Sequence, residues 1–141
     1  MADATADRWP ALLPVAQIRI ARPTERLDEV VDFYHQGLGL PVLASFRGHA
    51  GYDGVMIGLP GAAYHLEFTR HEHGSPGQAP SADNLLVLYI QDAQAITALV
   101  ERLAALGHSP VPPENPYWGE RGVTIEDPDG WRVVLMNTDG I

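Results

Sequence analysis

The feature that most constrains this chain is that it repeats itself. Thr24 and Asp92 both precede an amphipathic run, 68 positions apart, and Gly39 and Gly107 both follow one at the same offset. Looking for self-similarity precedes any reading of fold. Ahead of the first run lies Val15-Ala-Gln-Ile-Arg-Ile-Ala21, whose alternation puts Val15, Gln17 and Arg19 on one face and Ile18 and Ile20 on the other. Thr24 is a plausible N-cap with Glu25 in the first turn, and Leu27, Val30, Val31 and Tyr34 form one helical stripe. Gly37 and Gly39 are expected to end that helix.

Three strand-like runs follow, 41–46, 52–59 and 63–70, separated by Gly48-His-Ala-Gly51 and Pro60-Gly61, with the composition of hairpin turns. Residues 72–83, with Gly74, Pro76, Gly77 and Pro80, have the composition of a linker. The second half starts with an apolar strand, 85–90. It continues with a helix capped by Asp92 and striped by Ile96, Leu99, Val100 and Leu103. The proline-rich segment 108–118 is expected to hold one short strand. Strands 122–126 and 131–137 close the chain around the turn Asp127-Pro-Asp-Gly130. The pattern is β-α-β-β-β twice, an α+β fold. The first module spans 14–71 and the second 84–138, with residues 1–13 an N-terminal arm of one compact domain.

The 141 residues, 45% hydrophobic and 19% charged, suffice for one core. No apolar run reaches the length of a membrane span, and the N-terminus lacks the basic flank and apolar stretch of a signal peptide. A membrane partner is therefore not expected, and a cytoplasmic location is. The absence of cysteine excludes disulfides and thiolate chemistry. A net charge of -9 with nine scattered basic residues, all arginine, is unlike a nucleic-acid-binding surface.

Asp32-Phe-Tyr34 followed by Gly37-Leu-Gly-Leu40, and Asp127-Pro-Asp-Gly130 before Trp131-Arg-Val-Val-Leu135, resemble the first-helix signature and closing hairpin of the vicinal-oxygen-chelate superfamily. That group includes glyoxalase I, extradiol dioxygenases and bleomycin-resistance proteins. The resemblance covers about residues 14 to 138. It implies two modules whose mixed sheets curl around a small-molecule cavity, with helices on the outer face, and commonly a homodimer.

The resemblance also implies a divalent metal held by inward His, Gln or Glu side chains in the catalytic members. Carried over position by position, Glu67 matches, but the last-strand position falls at Val134 and the first strand of the second module offers Leu85, neither a ligand. On the first strand the position falls at Val15, or at Gln17 after a two-residue shift. The standard site is therefore expected to be broken and no cofactor bound. The alternative is a non-standard divalent metal on Gln17, His65 and Glu67, with His71 and His73 nearby.

The inward faces are expected to present Gln17, Arg19, His65, Glu67, Tyr89, Arg132 and Met136, with Tyr52, Tyr117 and Trp118 at the rim, a ligand-pocket composition. An inward, unpaired Glu67 would cost several kcal/mol. Either Arg19 or Arg132 should neutralise it, or it stands protonated and serves as an acid. Two functions stay open. One is a metal-free protein binding a small organic ligand. The other is an enzyme, a glyoxalase-like lyase or isomerase or a dioxygenase, with His65 and Glu67 catalytic: metal-dependent, or metal-free with Glu67 as general base.

Overall fold

The computed structural model describes residues 8–62 and 64–140; Ala63, expected to open the fourth strand, and residues 1–7 of the expected arm lie outside them. In chain order the first half holds β1 (Ile18–Pro23), α1 (Leu27–Asp32), β2 (Val42–His49), β3 (Tyr52–Gly58) and β4 (Tyr64–His71). The second half holds β5 (Leu85–Tyr89), α2 (Ala93–Ala105), β6 (Pro110–Val111), β7 (Gly122–Glu126) and β8 (Arg132–Met136). Each half is one four-stranded mixed sheet, ordered β1-β4-β3-β2 and β5-β8-β7-β6. In each, the first strand runs parallel to the last and the others pair antiparallel. The fold is thus α+β, two βαβββ modules.

Alternation along the strands decides what each sheet face does. One face of the first sheet carries Ile57, Leu66 and Phe68, buried against Leu27, Val30, Phe33 and Tyr34 of the first helical segment. One face of the second carries Ile125, Val133 and Leu135, in the same cluster as Ile96 and Leu103 of α2. The helix-covered faces of both modules therefore share one core. The opposite face of each sheet, called here the open face, carries the other half of the pattern: Arg19, Met56, His65 and Glu67 in the first module, Leu85, Tyr89, Thr124, Arg132, Val134 and Met136 in the second.

The structure departs from expectation at the first helix. Arg26, not Thr24, is the N-cap, and it makes no side-chain cap; the Thr24 hydroxyl instead accepts from Arg26 N at 2.9 Å. Thr24 N is already committed to Thr69 O at 2.8 Å, so the chain leaves β1 late and the helix starts two residues later than expected. Glu25 thus stands before the helix, whose first turn carries Asp28 and Glu29. The helix then widens into a π turn over Phe33–Gly37, with Leu38 N bonded to Phe33 O. Gly37 lies inside this turn rather than beyond the helix. The wide turn lets both Phe33 and Tyr34 face the core, with Tyr34 stacked on Phe68 at 4.8 Å.

The first strand begins at Ile18, so Val15 and Gln17 precede the sheet. The expected break at 48–51 narrows to Ala50-Gly51, both at positive φ, a two-residue turn that matches strand twist. Asp92 caps α2 as expected, accepting from Gln94 N at 2.9 Å.

The modules are tied by specific polar contacts besides the core. Tyr34 Oη donates to Asp127 Oδ2 at 2.8 Å, and Arg102 Nε donates to Gly37 O at 2.8 Å. The Arg22 guanidinium lies 4.1 Å above the Trp131 ring. Trp131 Nε1 donates to Gly77 O in the linker at 2.9 Å.

Candidate functional site

The polar cluster of the first open face is built by β1 and β4. These strands run parallel with Arg19 opposite His65 and Ala21 opposite Glu67. Because side chains repeat every second residue, His65 and Glu67 project together and Arg19 reaches both. Arg19 Nε donates to His65 Nε2 at 2.9 Å, and Arg19 Nη1 lies 3.4 Å from Glu67 Oε2. His65 and Glu67 are 5% and 9% exposed, while the side chain of Arg19, on the edge strand, is 47% exposed. The expected partner of Glu67 is therefore Arg19. Arg132 instead bonds Glu126 Oε1 at 3.0 Å and Pro112 O at 3.0 Å.

A guanidinium only donates, so His65 Nε2 is the acceptor and the ring hydrogen sits on Nδ1. That Nδ1 is buried and has no partner among the described residues. Beside the cluster the face is apolar. Met56 lies opposite Glu67 on β3. Two glycines let larger neighbours lie flat on the sheet: a Cβ at Gly54 would run into the Phe46 ring, and one at Gly58 into Leu43 Cδ2.

The register also locates the internal mates of this cluster. Leu85 lies opposite Arg132, two residues before Val134, as Arg19 lies opposite His65, two residues before Glu67. Arg19, His65 and Glu67 thus correspond to Leu85, Arg132 and Val134. The first-strand position sought at Val15 or Gln17 belongs to Arg19, because β1 starts later than its alternation suggested.

The second open face is covered by its own chain. Thr124, Val134 and Met136 are buried. Trp118, in the 3-10 turn Pro116–Gly119, sets its carbonyl over Gly122. Pro113 and Trp118 line a small void with Leu85, Thr124 and Arg132. Tyr117 is exposed and edge-on to Trp118 at 4.9 Å; Tyr89 is half-exposed at the end of β5. Tyr52 shares the first open face, four residues along β3 from Met56 and edge-on to His71 at 4.6 Å. The structure therefore joins Arg19, His65 and Glu67, puts Tyr52 further along the same face beside His71, and gathers Arg132, Met136, Tyr89, Tyr117 and Trp118 on the other module. Among the described residues no hydrogen bond or ion pair links the two groups.

Sequence reasoning missed Leu43 and Phe46 as walls of this face; Gly54 and Gly58, alternating with apolar residues in β3, were the available signal. A groove of about 710 Å³ lies elsewhere, between the linker and the closing turn, with Glu25, Arg26, Gln78 and Asp129 among its walls.

A divalent metal, which the fold implies for catalytic relatives, does not suit these residues. Among the described residues no three His, Asp or Glu side chains converge as a metal set. The two candidates that do meet, His65 and Glu67, are each already bonded to the guanidinium of Arg19, whose positive charge would repel a cation.

Comparison with known proteins places the chain. Residues 18–69 match the YycE-like N-terminal domain and residues 83–137 the YycE-like C-terminal domain. The uncharacterized protein YycE of Bacillus subtilis is 56% identical over 126 residues, 89% of this chain and 91% of that protein. The chain belongs to the YycE-like family. The crystal structure of B. subtilis YycE, a candidate glyoxalase/fosfomycin resistance protein of unknown function, superposes with a TM-score of 0.90 at 52% identity, covering 95% of this chain and 98% of that one. Two more distant structures share the fold. The trypanothione-dependent glyoxalase I of Leishmania major has a TM-score of 0.66 at 20% identity, covering 86% of this chain and 85% of its own. TnmS3, an antibiotic binding protein from Streptomyces sp. CB03234, has a TM-score of 0.59 at 23% identity, covering 85% and 93%. The fold of this YycE-like chain is thus that of the vicinal-oxygen-chelate proteins, glyoxalase I among them. No helix among its described residues is long and apolar enough to cross a membrane.

Proposed function

We propose that this YycE-like protein binds a small organic molecule on the open face of its first module, around Arg19, His65 and Glu67, without a metal. The observation that carries the reading is the guanidinium of Arg19 bonded to both His65 and Glu67. A buried polar cluster bordered by Met56, Leu43 and Phe46 has the composition of a ligand site: apolar walls and a few oriented polar groups. An antibiotic binding protein of the same fold supports binding as a use of this architecture. Half-exposed Val42 and Leu43 on the outer strand β2 support the homodimer that belongs to the same proposal.

The test is protein expressed in medium supplemented with zinc, manganese and nickel, analysed for metal and then crystallised. The expected result is no stoichiometric ion, with organic density over Glu67 in crystals grown with bound ligand. One tightly held divalent cation per chain, coordinated by Glu67, would overturn it. A second reading, Glu67 as general base for proton abstraction beside a carbonyl, is favoured by one observation: the guanidinium adjoining Glu67 is suited to stabilise the oxyanion so formed.

A further inference from the structure

The geometry points to a ligand class for this face: a small molecule with an apolar body ending in an anionic oxygen group, a carboxylate or its equivalent, seated on Arg19. The inference rests on the reading of the first open face as the binding site and adds what is bound there.

Counting donors and acceptors leads to it. Arg19 brings all the N–H groups of a guanidinium and His65 brings one more on Nδ1. Against them stand the carboxylate of Glu67 and the single ring nitrogen Nε2 of His65. Nε and Nη1 of Arg19 are engaged, whereas Nη2 carries no hydrogen bond among the described residues. His65 Nδ1 is an unpartnered buried donor in the same cluster. The cluster therefore holds more donors than acceptors, and the group that satisfies the surplus is rich in oxygen lone pairs. A planar carboxylate matches the guanidinium fork.

Charge and exposure agree. Glu67 lies beneath the sheet-edge arginine, so Arg19 is the member of the cluster that meets solvent. The chain as a whole is strongly acidic, and Arg19, although balanced by Glu67, brings a positive group to solvent on this face. Met56, Leu43 and Phe46 on the same face offer no hydrogen-bonding partner beyond a weak thioether, so they suit the hydrocarbon part of the ligand, while the polar Thr69, His71 and Tyr52 lie further along the strands.

Glu67 then acts as an internal competitor for Arg19. Its removal should strengthen, not weaken, the binding of an anion. This sign separates the present assignment from one in which Glu67 itself holds the ligand.

The test uses 2-naphthoate and 2-naphthamide, which share a ring system and differ in charge, titrated into full-length protein labelled with ¹³C at the methionine methyls. Met56 reports the first open face and Met136 the second. The expected result is a shift of Met56 and not Met136, with naphthoate binding at least fivefold more tightly than naphthamide, and less tightly as salt rises. In Glu67→Gln the preference for naphthoate grows several-fold. In the double variant Arg19→Gln with Glu67→Gln, which leaves no unpaired charge, the preference disappears. Equal affinity of the two compounds at Met56, in wild type and in Glu67→Gln, would overturn the anionic assignment and leave the binding face standing. Failure of both compounds to move Met56 would overturn the binding face itself, and the ligand class with it.

Discussion

The hydroxyl of Tyr34, at the widened end of the first helix, donates to Oδ2 of Asp127, in the turn between the last two strands, at 2.8 Å. Both residues are buried, and Asp127 also receives Asp129 N at 2.9 Å and Trp131 N at 3.0 Å. One carboxylate thus shapes the closing turn of the second module and fixes the helix of the first. Tyr34→Phe keeps the ring stacked on Phe68 but leaves a carboxylate oxygen without its partner. The expected cost is about 1–3 kcal/mol of unfolding free energy, read from urea titrations.

The same pair sets a pH dependence. Burial pushes the Asp127 carboxyl above its ordinary value of 3.8, outweighing the hydrogen bonds from Tyr34, Asp129 and Trp131 that pull it down. The folded chain therefore holds this proton more tightly than the unfolded chain does. Its contribution to stability is full below 3.8 and is lost as pH rises through the raised folded value. The stability of wild type minus that of Asp127→Asn should be largest at the acid end and decline toward neutrality. Burial, with the charge of Asp127 second, likewise raises Tyr34 well above 10.0. That contribution is present below pH 10.0 and lost as pH climbs through the folded value, so Tyr34→Phe should flatten the alkaline limb. Urea melts across both ranges check each sign.

Arg19→Ala leaves Glu67, with its side chain 11% exposed, without its cation. Because Arg19 itself is about half in water, the expected loss is about 1–3 kcal/mol rather than the larger figure for a fully buried pair. In a Glu67→Gln background the same substitution should cost less, giving a coupling of about 1 kcal/mol in a double-mutant cycle. Additive effects would show that the two side chains do not interact in solution.

Thr124 Oγ1 is buried without a hydrogen-bond partner among the described residues. Thr124→Val removes the orphaned hydroxyl and keeps the β-branched shape in the strand, so stability should rise by about 1 kcal/mol. A fall of that size in the unfolding free energy, read from urea titrations, would mean the hydroxyl has a partner, such as a water in the adjoining void.

Two glycines should respond differently to alanine. A Cβ at Gly77 would collide with the carbonyl of Pro23 and the backbone of Thr24, which is held by its bond to Thr69. Neither can give way, and a loss of about 3 kcal/mol is expected. Gly61 has φ of +78° but open space around its missing side chain, so only backbone strain of about 1 kcal/mol applies. Thermal melts of the two variants rank them.

The β-α-β-β-β repeat was legible because each element carries its own signal: the Leu27–Val30 and Ile96–Leu103 spacings, the Asp92 cap and the Asp127-Pro-Asp-Gly130 turn. Local propensity does not say where a strand lets go. The bond from Thr24 N to Thr69 O is contributed from 45 residues away, and it delays the start of the first helix. The start of β1 is likewise non-local: it pairs from Ile18 opposite Tyr64, which leaves Gln17 outside the sheet and puts Arg19 opposite His65. The two-residue alternation did place His65 with Glu67. Which arginine would meet them depended on strand pairing, and pairing is non-local: Arg19 lies on the strand beside β4, whereas Arg132 belongs to the other sheet.

The covering of the second open face by Trp118 and the proline-rich segment has a consequence for stoichiometry. Duplication produced two equivalent sheets, and one of them is occupied by the chain's own backbone at Gly122. Titration with a ligand specific for these faces should therefore saturate at one equivalent per polypeptide, although the architecture presents two halves.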